Sequence, residues 1–179
     1  MKKLAASIAP DEKRLVKVAR AVYDHVVANM KYDKPAGKAW GRGSVKWACT
    51  ERYGNCTDFH ALFMNLCRLR GIPARFTMGI SLPPDAKGTI EGYHCWCEFY
   101  VPAKGWVPVD ASEASKRPEK KDYFFGALDA DRVAFVLGRD LTLEPAQKAG
   151  PVSLVPIGYA ERDGEPVALK RTIEFEDAK

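Results

Sequence analysis

The stretch GNCTDFHALFMNLCRLRGIP, residues 54–73, constrains this chain more than any other. Phe59, Leu62, Phe63, Leu66 and Leu69 recur at three- and four-residue steps, which predicts an amphipathic helix with one apolar stripe. Gly54-Asn55 supply a turn and an N-cap before it, and Gly71-Ile72-Pro73 end it. Cys56 therefore opens the helix, where unpaired N–H groups and a partial positive charge favour a thiolate. Cys67 sits near the far end, where the dipole has the opposite sign, and Cys49 lies in an irregular stretch. Of the five cysteines, only Cys56 has the setting of a nucleophile. An odd count in a chain too large to be a disulfide scaffold also leaves at least one thiol free.

Residues 74–82 alternate, with Phe76, Met78, Ile80 and Leu82 on one face, and predict a strand. A Pro/Gly-rich loop over 83–92 follows. Residues 93–101 and 106–111 predict two further strands joined by the turn Pro102-Ala103-Lys104-Gly105. In the first of these, alternation puts His94, Trp96, Glu98 and Tyr100 on one face and Cys95, Cys97, Phe99 and Val101 on the other. The second set is wholly apolar or thiol, so it is expected to face the core. In the next strand Val107 and Val109 point inward, and Trp106, Pro108 and Asp110 point the other way. An even-sum register, such as His94 opposite Asp110, makes these two same-face neighbours on antiparallel strands. A carboxylate there would accept the proton on one ring nitrogen, fix the tautomer and leave the other nitrogen to work on sulfur.

Elsewhere, Leu15, Val18, Ala19, Val22, Val26 and Met30 predict an amphipathic helix over 10–30, with Asp11 and Glu12 in its first turn and His25 as a packing or surface residue. Residues 31–53, rich in glycine and carrying Trp40 and Trp47, read as an irregular cleft wall. The basic run 116–121 reads as a solvated loop, and the short apolar runs RVAFVLG and VSLVPIGYA as further antiparallel strand. Helices first and strands after predict an α+β domain. With 179 residues, 46% of them hydrophobic and 28% charged, the chain reads as one domain over 1–179, with a core at 47–111 and a C-terminal β extension over 123–179.

The segments GNCTDFHALFMNLCRLRGIPAR and YHCWCEFYVPAKGWVPVDAS together resemble the core of the transglutaminase-like superfamily. The shared pieces are a Gly-x-Cys opening a helix, a Gly-Ile-Pro-Ala-Arg exit, a His-x-Trp strand and a Gly-Trp-x-x-x-Asp strand, in that order. The resemblance implies a papain-like fold, a catalytic triad of Cys56, His94 and Asp110, and acyl transfer on a peptide or protein substrate through a thioester. Hydrolysis is favoured over cross-linking. The oxyanion donors it implies are the Cys56 N–H and an upstream indole, Trp47 ahead of Trp40. Beside the triad, His60 is expected to play a supporting or packing role, Asp58 to cap the helix or complement its dipole, and Arg75 to pair with a carboxylate that the sequence does not identify.

Two rival readings compete with this one. A zinc site would use His94, Cys95 and Cys97, but Cys-x-x-Cys knuckles are lacking and alternation sends His94 away from both thiols. A non-catalytic binding module would line a peptide groove with Trp40, Trp47, Trp96 and Trp106. No metal or cofactor is expected. The net charge of +5 is spread among acidic residues, which disfavours nucleic-acid binding. No stretch approaches the ~20 apolar residues of a membrane span. Nor is a signal peptide recognisable, which fits a cytoplasmic protein if the chain is complete and a periplasmic or envelope protein if a leader has been removed. Oligomeric state is left open.

Overall fold

The computed structural model describes residues 1–84, 87–153 and 158–177. In chain order the elements are α1 (Lys2–Ser7), α2 (Leu15–Asn29), β1 (Lys31–Tyr32), α3 (Val45–Glu51), β2 (Tyr53–Gly54), α4 (Cys56–Leu69), β3 (Ala74–Ser81) and β4 (Lys87–Thr89). There follow β5 (His94–Val101), β6 (Gly105–Val109), α5 (Ala111–Lys116), β7 (Arg132–Leu137), β8 (Glu161–Arg162), β9 (Glu165–Pro166) and β10 (Glu174–Glu176). The chain forms two compact units, residues 1–76 with 95–128 and residues 77–94 with 129–179. The architecture is the expected α+β type, with helices concentrated early and antiparallel strands after them.

In the first unit, α4 carries the apolar stripe anticipated for it, and Phe59, Leu62, Phe63 and Leu66 are buried. Burying one such side chain contributes about 2 kcal/mol. Val18, Ala19, Val22, Tyr23 and Val26 of α2 are buried as well, and the Tyr23 hydroxyl donates to the carbonyl of Lys121 at 2.8 Å. Strands run in the order β6, β5, β3, with β5 and β6 antiparallel and Cys97 opposite Val109. Cys95, Cys97 and Phe99 are fully buried, as the alternation requires. Arg75 finds its carboxylate in Glu98, at 2.6 Å, and stacks over Trp106 with its guanidinium carbon 4.2 Å from the ring centre.

In the second unit the remainder of β3 pairs antiparallel with β7, with a bulge between Met78 and Gly79. A Cβ on Gly79 would lie 1.9 Å from the Val133 carbonyl oxygen, so no other residue fits that approach. β4 pairs with β10, and β8 with β9 through a turn at Asp163-Gly164, both at positive φ (57° and 89°).

Several boundaries differ from the sequence reading, each for a local reason. The helix expected over 10–30 begins only at Leu15, because the Glu12 carboxylate accepts the N–H groups of Lys13 (3.0 Å) and Arg14 (2.8 Å), a local alternative to helical pairing. Asp11 and Glu12 therefore precede the helix, and α1 was not anticipated. The stretch 31–53 contains α3, capped by Ser44, whose hydroxyl accepts from the Trp47 N–H at 3.2 Å. The basic run is not a plain loop either, since Lys116 ends α5 and Pro118–Lys120 forms a 3-10 turn. The loop 83–92 includes β4. In the run VSLVPIGYA, Val152 bridges Leu141, and residues 154–157 lie outside the described residues.

Arg70, after the last turn of α4, donates to the carbonyl oxygens of Ala5 (3.1 Å), Ile8 and Ala9 (3.1 Å) and so ties α1 to the helix. Arg70→Ala is expected to lower unfolding free energy by about 2 kcal/mol in urea titration, since bonds from a charged donor are among the stronger ones.

Candidate active site

Cys56 is the first residue of α4 and is 2% exposed. Its helix start is held from two sides. Asn55 accepts from the Thr57 N–H at 3.0 Å, and Asp58 closes a capping box on the Asn55 N–H at 3.1 Å. Asp58 also takes the N–H groups of Gly43 (2.7 Å) and Gly41 (3.3 Å), fastening the preceding loop to the helix. Burial raises the Asp58 carboxyl above its ordinary value despite these three donors. Asp58 is thus the capping carboxylate expected of it, with a second role as anchor of the loop.

The helix after that loop, α3, lays an indole against it. A Cβ on Gly41 would lie 2.1 Å from Trp47 Cδ1 and 2.6 Å from Asp58 Oδ1, so the pyrrole edge of Trp47 and the Asp58 carboxylate flank one point of the loop. Only glycine leaves room there. Trp47 Nε1 is shielded from solvent and has no hydrogen-bond partner among the described residues. A buried indole N–H normally finds an acceptor.

Asp110 is fully buried. The strand expected over 106–111 stops at Val109 because Asp110 becomes the N-cap of α5, accepting from the Glu113 N–H and the Ser112 hydroxyl, each at 2.8 Å. Asp110 Oδ1 also lies 3.4 Å from Nε2 of His60, within ion-pair reach but without the alignment of a hydrogen bond. His60, fully buried, presents Nδ1 to Cys95 Sγ at 3.7 Å. The Cys95 thiol in turn lies 3.7 Å from Thr57 Oγ1. Burial, with the Cys56 sulfur adding to it, pushes the Cys95 thiol well above its ordinary range.

His94, 7% exposed, is the first residue of β5 and the last of the chain segment 77–94, bonded directly to Cys95. The β5–β6 register has the expected even sum, with Cys97 facing Val109 as its last pair. Trp96 is 4% exposed and unavailable to a surface groove, whereas Trp106 is 38% exposed. Among the described residues no group of three His, Cys, Asp or Glu could hold a metal ion.

Within the first unit, then, Cys95 lies against Thr57 and His60 of the Cys56 helix, and Asp110 against His60. The sequence reading gave Cys95 a core-filling role and His60 a supporting one. The usable signal was the helical spacing of Cys56 and His60, which puts both on nearly one face.

An α+β fold in which a cysteine opens the central helix beside an antiparallel sheet is that of papain-like thiol enzymes. Residues 2–111 match the model of the transglutaminase-like superfamily, and the chain belongs to that superfamily. An uncharacterized protein of Haemophilus influenzae is 30% identical, the match covering 93% of this chain and 54% of the relative. The crystal structure of a proposed cysteine protease from Cytophaga hutchinsonii is similar over 76% of this chain and 41% of that one, with a TM-score of 0.57 and 26% identity. The periplasmic domain of TgpA from Pseudomonas aeruginosa shares the fold, with a TM-score of 0.50 and 23% identity over 71% of this chain and 46% of that one. The chain thus spans about half the length of these relatives. Among the described residues, no helix is long and apolar enough to cross a membrane.

Proposed function

We propose that this chain is a thiol-dependent acyl-transfer enzyme acting on peptide or protein amides, with Cys56 as nucleophile, His94 as base and Asp110 as the residue that orients the base. The observation that carries the reading is the position of Cys56 at the mouth of a doubly capped helix, in a chain of the transglutaminase-like superfamily. The Cys56 sulfur attacks the amide carbonyl and His94 takes the thiol proton. The oxyanion forms toward the Cys56 N–H and Trp47 Nε1, the latter a buried donor with no partner among the described residues. His94 then returns the proton to the leaving amine, and the C–N bond breaks to leave a thioester. Water, deprotonated by His94, releases the acid and restores the thiol, which makes the enzyme a peptidase or amidase. A primary amine in place of water would give a cross-link.

Peptide-mapped alkylation by iodoacetamide at pH 6 tests the pair at the centre of this reading. An ordinary thiol, with a pKa of about 8.5, is almost wholly protonated there. The expected result is rapid labelling confined to Cys56 that slows by about tenfold or more in His94→Ala, as the thiolate loses its imidazolium partner. Slow or indiscriminate labelling of the wild type would count against an activated thiol and in favour of a binding module on the same fold.

A further inference from the structure

Two buried donors lie in one ring contact just upstream of the nucleophile, and neither has an acceptor among the described residues. Trp47 Nε1 is one, and the hydroxyl of Tyr53 is the other. Their rings meet edge to face, with centres 5.6 Å apart and planes at 79°. Tyr53 is 7% exposed and forms β2 with Gly54, so only Asn55 separates that strand from Cys56 at the head of α4.

We propose that the Tyr53 hydroxyl is a further catalytic donor, sharing with the Trp47 indole the acyl oxygen of a substrate held on Cys56. The inference rests on the acyl-transfer reading above and deepens it.

A buried Tyr O–H or Trp N–H usually finds a partner, because an unpaired one bears the full cost of its desolvation. Here two such donors share one contact, and a single bound oxygen would satisfy both. The nearest carboxylate does not fill that place: Asp58 takes the N–H groups of Gly43, Asn55 and Gly41. Burial, with the charges of Glu51 and Asp58 adding to it, pushes the Tyr53 phenol above its ordinary range, so it keeps its proton and meets an anion as a donor. An oxyanion is the acceptor that benefits most, since hydrogen bonds to an ionised oxygen are roughly twice as strong as neutral ones. Tyr53 transfers no proton in this role, and the bonds made and broken are those of the acyl transfer already given.

Both donors are also held in place by the fold. Trp47 belongs to α3, which Ser44 caps, and its pyrrole edge lies where a Cβ on Gly41 would come within 2.1 Å of Cδ1. Tyr53 is fixed through β2, where it pairs with Lys31 of β1, and Asp58 packs so closely on Gly54 that a Cβ there would lie 2.5 Å from it. Donors fixed in this way need no reorganisation as charge develops.

The test compares two reactions of Cys56 in wild type, Tyr53→Phe and Trp47→Phe. Acylation passes through an oxyanion and is followed by nitrophenolate release from p-nitrophenyl acetate, counting only the part lost in Cys56→Ala. Alkylation by iodoacetamide at pH 6, read by peptide mapping, displaces iodide at a saturated carbon and forms no oxyanion. The expected result is acylation slowed by about tenfold or more in each variant, with alkylation within about twofold of wild type. The urea midpoint of Tyr53→Phe should not fall, since the hydroxyl it removes has no acceptor among the described residues. Unchanged acylation in Tyr53→Phe, or acylation and alkylation slowed alike, overturns the proposal and leaves the acyl-transfer reading intact. A lowered midpoint does the same, because it marks a structural bond at the hydroxyl. In wild type, slow alkylation of Cys56 or no Cys56-dependent acylation overturns both.

Discussion

Asp58→Ala is expected to lower the unfolding free energy by about 4 kcal/mol, measured by urea titration at pH 7, from the loss of three backbone acceptor contacts. The carboxylate takes the N–H groups of Gly43, Asn55 and Gly41 at 2.7, 3.1 and 3.3 Å, and alanine leaves these donors without that acceptor in a confined loop. Each such donor costs about 1–3 kcal/mol. Asp58→Asn keeps one acceptor oxygen but turns an N–H₂ group toward the remaining donors, so its loss should fall between zero and that of alanine. The variants also differ in pH dependence. Burial raises the carboxyl above its ordinary value in the folded state, so the folded protein binds this proton more tightly than the unfolded chain does. Stability contributed by the group is then greatest below the unfolded value and is lost as pH rises through the folded one. The advantage of wild type over Asp58→Asn should therefore be larger at pH 3.5 than at pH 7. An advantage that grows with pH would show that the three donors outweigh burial.

The same residue bears on the chemistry, because Asp58 fixes the loop that leads into α3, the helix that carries Trp47. If the Trp47 indole supplies an oxyanion donor, Asp58→Ala loses turnover as well as stability, and Asp58→Asn separates the two by keeping part of the anchor.

How much of this was legible in the sequence depended on whether a residue's role was local or shared. The helix of Cys56 could be read almost to its ends, because its apolar period, cap and glycine stop all act within the segment itself. Cys95, Cys97 and Phe99 could be assigned to the core by alternation alone. The Asn55–Asp58 cap followed from the same local rules. Capture of the Gly41–Gly43 loop by Asp58 could not be read, since it joins residues 15 and 17 positions apart by side-chain reach. Nor could the start of α2, where a carboxylate diverted two N–H groups from the helix, or the end of β6, where Asp110 left the strand to cap α5. In each case a polar side chain competed with the backbone pattern and won. The closing of His60 upon Asp110 depends on where α5 turns away from β6, and nothing in the strand pattern recorded that turn.

Asp110 is where the structural and chemical demands on one residue can be separated. Its Oδ1 caps α5 through Glu113 and accepts from the Ser112 hydroxyl, and both bonds are buried or partly buried. Asp110→Ala is expected to cost about 3 kcal/mol by urea titration, the sum of a lost cap and an unpaired Ser112 hydroxyl. Asn is as good an N-cap as Asp and can accept both bonds through its amide oxygen, so Asp110→Asn should stay within about 1 kcal/mol of wild type. What it removes is the negative charge. If Asp110 orients His94 and stabilises its protonated form, a neutral amide lowers the fraction of thiolate–imidazolium pair, and Cys56 alkylation at pH 6 should slow by about tenfold or more with the fold intact. Both variants remove the charge and should lose reactivity, but they differ in stability. Alanine is worse for stability, while asparagine loses reactivity with almost no loss of stability. Unchanged Cys56 labelling in Asp110→Asn would confine Asp110 to holding α5 in place, and His94 would then have to be oriented by some other group.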